Sequence, residues 1–242
     1  MEPVASALDA FLRAERNSVP RELLVVNRVI HDLMVAAAAR GYDLLVYQPT
    51  VDSDGFDLIL DDRDRLLPLQ LKSVVFGGRA AKWSIHRKLL RPERHEIEWF
   101  GFEPSPCGEG RGGGVLLAEV STDGISVGLS YRYTDLRILT AFWLDLIPVL
   151  PQTKARLQRL RSELESQPSG KVALPKTAFV KAKSPEHLLA LAGLHSRFEN
   201  TWPNMLCRLA RFEFERQGEL PAPLEQTRIA LQVDLGSLID SR

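Results

Sequence analysis

The sequence predicts a mixed α/β fold with a helical C-terminal portion, on three observations. Short apolar runs at 42–47, 56–60, 66–76, 115–120 and 125–133 are bounded by Asp, Gly and Pro, as strands are. Apolar residues recur at three- and four-residue steps over 20–40, 154–165, 184–194 and 202–217, as in helices. The two patterns interleave, so helices should flank a sheet. We expect one domain over 1–195 and a C-terminal helical extension over 196–242.

In the first helix, expected over 20–40, Leu23, Val26, Ile30, Leu33, Met34 and Ala37 form the apolar series. Ser18 is placed to cap its start and Pro20 to sit in its first turn, and Gly41 stands where a C-cap glycine would. A strand at 42–47 leads into the turn-rich 49–55. The strands at 56–60 and 66–76 are joined by a charged turn at 61–65. Residues 83–90 read as an edge strand or short helix, and the glycine-rich 101–114 as a surface loop. Residues 115–120 and 125–133 read as a hairpin closed by Asp123-Gly124. The stretch 136–146 is ambiguous between helix and strand. A basic helix at 154–165, a short strand at 171–174 and a helix capped by Ser184 follow, and 202–217 is expected as the last helix.

With 242 residues, 45% of them hydrophobic, the chain can bury a substantial core. Lys plus Arg equals Asp plus Glu at 31 each, which excludes a generally basic nucleic-acid coat and makes any such contact local. Cys107 and Cys207 lie far apart with no metal-type spacing, as suits a reducing compartment. The start, Met1 to Ser6, lacks a signal-peptide pattern. The apolar run at 138–150 is broken by Asp145 and Pro148, too short to cross a bilayer. The expected location is cytoplasmic.

The strand pair around Asp57 carries the chemistry. Alternation puts Leu58 and Leu60 on one face with Leu67, Leu69 and Leu71, and Asp57, Gln70 and Lys72 on the other. If Asp61 opposes Leu66 across the turn, Asp57 opposes Gln70 and Lys72 lies one step further along. Asp57 and the Gln70 side-chain oxygen are candidate ligands for Mg²⁺, a hard cation that takes oxygen. Lys72 is placed to orient a water or to stabilise charge developing on a phosphate, and Glu22 to add a carboxylate if its helix packs over the strands. The bland alternative is that Asp57 and Lys72 are solvated strand residues, that Glu22 is a helix-start charge, and that Asp52 and Asp54 form a turn.

With Gly55-Phe56-Asp57 followed by Gln70-Leu71-Lys72, behind a helix containing Glu22, the chain resembles the PD-(D/E)XK nuclease superfamily. The order of elements matches over roughly 20–135, and the motif itself occupies only the hairpin. The glutamine resembles the variant of Mrr-like restriction endonucleases, and 171–189 is similar to the closing segment of uncharacterised bacterial members. The resemblance implies a restriction-endonuclease-like sheet and a DNA phosphodiesterase using Mg²⁺, or Mn²⁺, with Asp57, Gln70, Lys72 and Glu22 as its catalytic group. A neutral glutamine should hold metal less tightly than glutamate. The competing expectation is an inactive module of the same fold that binds nucleic acid or a protein.

Six cations fall between Arg79 and Arg94 against one acid, Glu93. Lys82, Arg87, Lys88 and Arg91 among them are candidate contacts to nucleic acid, as expected for phosphate-backbone binding. Lys171, Lys176, Lys181 and Lys183 form a second cluster, and Lys154, Arg156, Arg159 and Arg161 a third. For the first cluster a solvated face and a phosphate contact are equal readings; for the other two a solvated face is the plain reading of each alone, and together they could line a nucleic-acid track. The glycines of 108–114 lack the Lys-Ser/Thr ending of a phosphate loop, and His95-Glu96-Ile97-Glu98 lacks zinc spacing. Trp202, Leu206, Leu209 and Phe212 share one side of the C-terminal helix and offer a surface for a homodimer or protein partner.

Overall fold

A computed structural model describes residues 6–50, 55–78, 80–103, 109–166, 169–194, 202–215 and 221–240. Helices α1 (Ala7–Arg13) and α2 (Ser18–Ala39) precede strands β1 (Leu45–Tyr47), β2 (Leu58–Asp61), β3 (Leu66–Val75) and β4 (Lys82–His86). Three short 3₁₀ turns lead to β5 (Gly114–Thr122) and β6 (Val127–Asp135). Then come α3 (Leu136–Trp143), α4 (Pro151–Ser166), β7 (Lys171–Pro175), β8 (Val180–Lys181), α5 (Pro185–Leu191), α6 (Trp202–Glu215) and α7 (Ala222–Leu238).

The architecture is mixed α/β, as predicted. Six strands form one sheet in the order β1-β2-β3-β5-β6-β8, and β4 and β7 form a separate two-stranded ribbon. Every pairing is antiparallel except β3 with β5. Helices α2 and α5 pack on one face of the sheet; on the other, the 3₁₀ turn Arg87–Leu90 joins the ribbon to β3 and β5. Alternation decides the faces: Leu58, Leu60, Leu67 and Leu69 are all buried, and Asp61 opposes Leu66 as expected.

Helix α2 ends as its sequence predicts. Gly41, at φ +72°, donates to the Ala38 carbonyl and Tyr42 to that of Ala37, closing a Schellman motif. Its start differs. Ser18 is the first helical residue, behind a 3₁₀ turn, and makes no cap. Its buried stripe is also rotated from the expected one: Val25, Val29, Leu33, Ala36 and Ala37 are buried, whereas Leu23 and Met34 are exposed. Apolar residues occupy most positions of this helix, so periodicity alone supports two phases. The polar contact at Asp32 accompanies the phase observed.

Asp32 accepts hydrogen bonds from Tyr131 Oη of β6 (2.6 Å) and Arg28 Nε (2.8 Å), tying α2 to the sheet. Burial works to raise the Asp32 carboxyl, but the bonds from Tyr131, His31 and Arg28 outweigh it and hold it below the usual range. A carboxyl lowered on folding contributes stability above its unfolded pKa, and that contribution is lost as pH falls through the folded value. Wild type should therefore exceed Asp32→Asn in stability at pH 6 and lose that advantage below about pH 4. Urea unfolding at pH 6 and pH 3 checks this; an equal difference at both would contradict it.

The C-terminal portion is helical, with one helix more than expected: α7 follows α6. It was invisible to periodicity because only Leu231 and Leu235 of its 17 residues are buried. Trp202, Leu206 and Leu209 of α6 are buried in the core shared with the sheet. This corrects the expectation that they present a docking face, because the chain covers that face itself. The expected boundary between 195 and 196 lies outside the described residues.

Candidate active site

The β2–β3 ladder stops one pair short of Asp57, at Leu58 opposite Leu69. There the strands part. Asp57 N–H donates to the Leu69 carbonyl (2.8 Å), and its Oδ2 accepts from the Leu71 N–H (2.6 Å). The carboxylate thus takes the place of the next strand residue, fastened by a charge-assisted bond to the Gln70–Leu71 peptide. Asp57 and Lys72 are half-buried and Gln70 is buried. Gln70 Oε1 has no hydrogen-bond partner among the described residues, a deficit that costs about 1–3 kcal/mol for a buried polar atom.

Glu22 of α2 is exposed and lines a cavity of about 240 Å³ with Val25, Leu71, Lys72 and Ser73. Glu22 and Lys72 therefore meet at one opening, next to the residue that anchors Asp57. The described lining of this cavity does not include Asp57 or Gln70; as a donor set for a metal, these two offer a fastened carboxylate and an amide oxygen without a partner among the described residues. That fits a hard cation which keeps several waters and takes further oxygens from a phosphate. Among the described residues no three His, Cys, Asp or Glu side chains cluster as a metal site.

Gly55 opens the Asp57 turn with φ +80°, a conformation in which glycine carries no steric cost. It also has a packing reason to be glycine. A Cβ here would lie 2.1 Å from Cδ2 of His86, so the imidazole at the end of β4 rests against the turn. Nothing in the spacing of Gly55 and His86 signals this contact, because it depends on where the ribbon lands. Asp52 and Asp54 lie outside the described residues.

The four candidate nucleic-acid contacts separate. Lys82 is exposed and Lys88 half-buried. Arg87 donates to the carbonyls of Glu163 and Lys171 and braces the ribbon against α4. Arg91 is fully buried, which removes it from any contact with nucleic acid. The backbone around Gly110 closes over it: a Cβ on Gly110 would lie 2.0 Å from the Arg91 carbonyl oxygen. In the other basic clusters, Lys154 pairs with Asp145, Lys176 with Glu119 and Lys181 with Asp240. Lys183 donates to the Gly236 and Ser237 carbonyls. The Arg161 guanidinium lies 4.1 Å from the Phe214 ring centre and 4.9 Å from that of Trp143.

Protein-family models, curated proteins and solved structures were compared with the chain, and none matches. The site therefore rests on its own geometry.

A larger cavity, about 660 Å³, lies at the turn end of the β2–β3 hairpin and is lined by Asp61, Asp62, Arg65, Glu96 and Arg137 among others. Three of its charged groups serve the fold. Arg65 donates to the carbonyls of Ala192 (2.7 Å) and Gly112 (3.3 Å), and Arg137 pairs with Glu96 at 2.6 Å. Behind them Asp135 caps α3 through Ile138 N–H (2.7 Å) and accepts from Tyr133 Oη (3.0 Å). Burial pushes the Asp135 carboxyl up, against the opposing pull of Arg137.

Proposed function

We propose that the chain is a metal-dependent phosphodiesterase acting on DNA, of the type resembled by its Asp57 and Gln70-Leu71-Lys72 pattern, using Mg²⁺ or Mn²⁺. One observation carries the reading: Asp57 is fastened to the Leu71 amide where β2 and β3 part, and the chain neighbours of Leu71 are buried Gln70, whose oxygen lacks a partner among the described residues, and Lys72. Asp57 and Gln70 would hold the ion. When bound, such an ion acidifies a water and offsets charge on the phosphate. Lys72 supplies a compact positive charge to the phosphate oxygens as they gain charge, and Glu22 orients the attacking water across the shared cavity. A cytoplasmic setting, where DNA is within reach, belongs to the same reading.

The neutral Gln70 favours a second reading, an inactive module of the same kind that binds nucleic acid without cutting it. It leaves Asp57 as the carboxylate fastened at the strand fork, with Glu22 exposed on α2 at the cavity it shares with Lys72. A labelled duplex incubated with Mg²⁺ or Mn²⁺ separates the two. Cleavage that EDTA stops and added Mg²⁺ restores is the expected result; binding without cleavage in either metal would favour the second reading.

A further inference from the structure

We propose that the outer face of the β4–β7 ribbon is the track along which the phosphodiester backbone of the bound strand runs towards Asp57. This rests on the phosphodiesterase reading and extends it to the surface that holds the substrate. Both strands show the same alternation of exposed and buried residues, and their register superposes the two patterns. Trp83, Ile85, Val172 and Leu174 are buried on the inner face. The outer face carries Lys82, Ser84 and His86 from β4 opposite Pro175, Ala173 and Lys171 from β7. It holds two exposed lysines and an imidazole, and no acid.

Three features make this face a track and not an ordinary solvated surface. Its near end abuts the site, because the His86 ring rests on Gly55, two residues from Asp57, and Lys171 lies directly opposite His86. It is braced, because Arg87 donates to the Lys171 carbonyl and to that of Glu163 in α4. Its middle is small: Ser84 and Ala173 leave room for a backbone to lie close. The lysines of the neighbouring clusters at 154, 176, 181 and 183 are occupied by acids or carbonyls of this chain, whereas Lys82 and Lys171 stand exposed. From His86 to Lys82 the strand covers about 13 Å, roughly four base steps of axial rise.

The test is fluorescence anisotropy of a labelled 25-base-pair DNA duplex in EDTA, titrated at several KCl concentrations, with full-length wild type, Lys82→Ala/Lys171→Ala and Lys154→Ala. The double variant should bind at least about tenfold more weakly, and the slope of log affinity against log salt should fall by about 1.8, as when two fewer phosphates are neutralised. Lys154→Ala should stay within about twofold of wild type, as expected for a lysine spent on an exposed ion pair. A double variant with wild-type slope overturns the track while leaving cleavage by Asp57 untouched. Absence of binding by wild type at low salt overturns both. A weakened double variant, in a protein that binds the duplex but leaves it uncut in Mg²⁺ or Mn²⁺, supports the track and removes the phosphodiesterase reading.

Discussion

Asp135→Ala is expected to destabilise the protein by about 3 kcal/mol, from the lost helix cap and the buried hydroxyl left without an acceptor. Two groups lose their acceptor, the Ile138 amide at 2.7 Å and the Tyr133 hydroxyl at 3.0 Å. The substitution also leaves Arg65 and Arg137 facing a site without its carboxylate. For a chain of this size the melting point should fall by about 6–12 °C. Asp135→Asn should lose far less. Its amide oxygen still accepts from Ile138, its amide nitrogen in place of Oδ2 can donate to the Tyr133 oxygen, and burial already works against the charged form of Asp135. Thermal unfolding of the two variants checks this, and an alanine variant melting within about 2 °C of wild type would contradict the role given to Asp135.

Lys72→Ala carries the second large effect, on activity and not on stability. The side chain is half-buried at the mouth of the Glu22 cavity, and its neighbour Leu71, not Lys72, anchors Asp57. Removing it should leave the fold and DNA affinity near wild type while cleavage falls about a hundredfold or more, as for loss of one charge-stabilising group. Lys72→Arg should recover little, because a planar guanidinium does not replace a compact ammonium at one point. Single-turnover cleavage of a labelled duplex, with anisotropy as the binding control, measures both. Cleavage within about threefold of wild type in Lys72→Ala would remove the lysine from the reaction.

Much of the sheet was legible because alternation and turn chemistry agree along the chain. Leu58 and Leu60 against Leu67 and Leu69 fixed both register and face, and Asp123-Gly124 marked the β5–β6 turn. Helix phase was less legible: in α2, Leu23 and Met34 fit the periodicity as well as Val25 and Val29 do. The β4–β7 ribbon was hidden for a different reason. His86 and Lys171 are opposed across 85 positions of chain, and local patterns carry no information about such pairings. Arg91 shows the same limit. In sequence it belongs to a basic run, and in the fold it is fully buried, with the chain returning against it at Gly110.

Within the candidate site, residue types and order were readable, but the way Asp57 is held was not. Alternation predicted Asp57 facing Gln70 across a continued ladder. Instead the strands part and the carboxylate turns to the Leu71 amide. The resulting fork, next in the chain to a Gln70 oxygen without a partner among the described residues, adds to the three-residue pattern a reason to expect a cation there.

The central claim is that Asp57 at this fork drives metal-dependent cleavage of DNA. Its most direct test is supercoiled plasmid incubated side by side with wild type and Asp57→Ala in Mg²⁺ or Mn²⁺. Wild type should produce nicked or linear DNA, and the variant should leave the plasmid intact. Plasmid left equally intact by both, or cut equally by both, would contradict the claim.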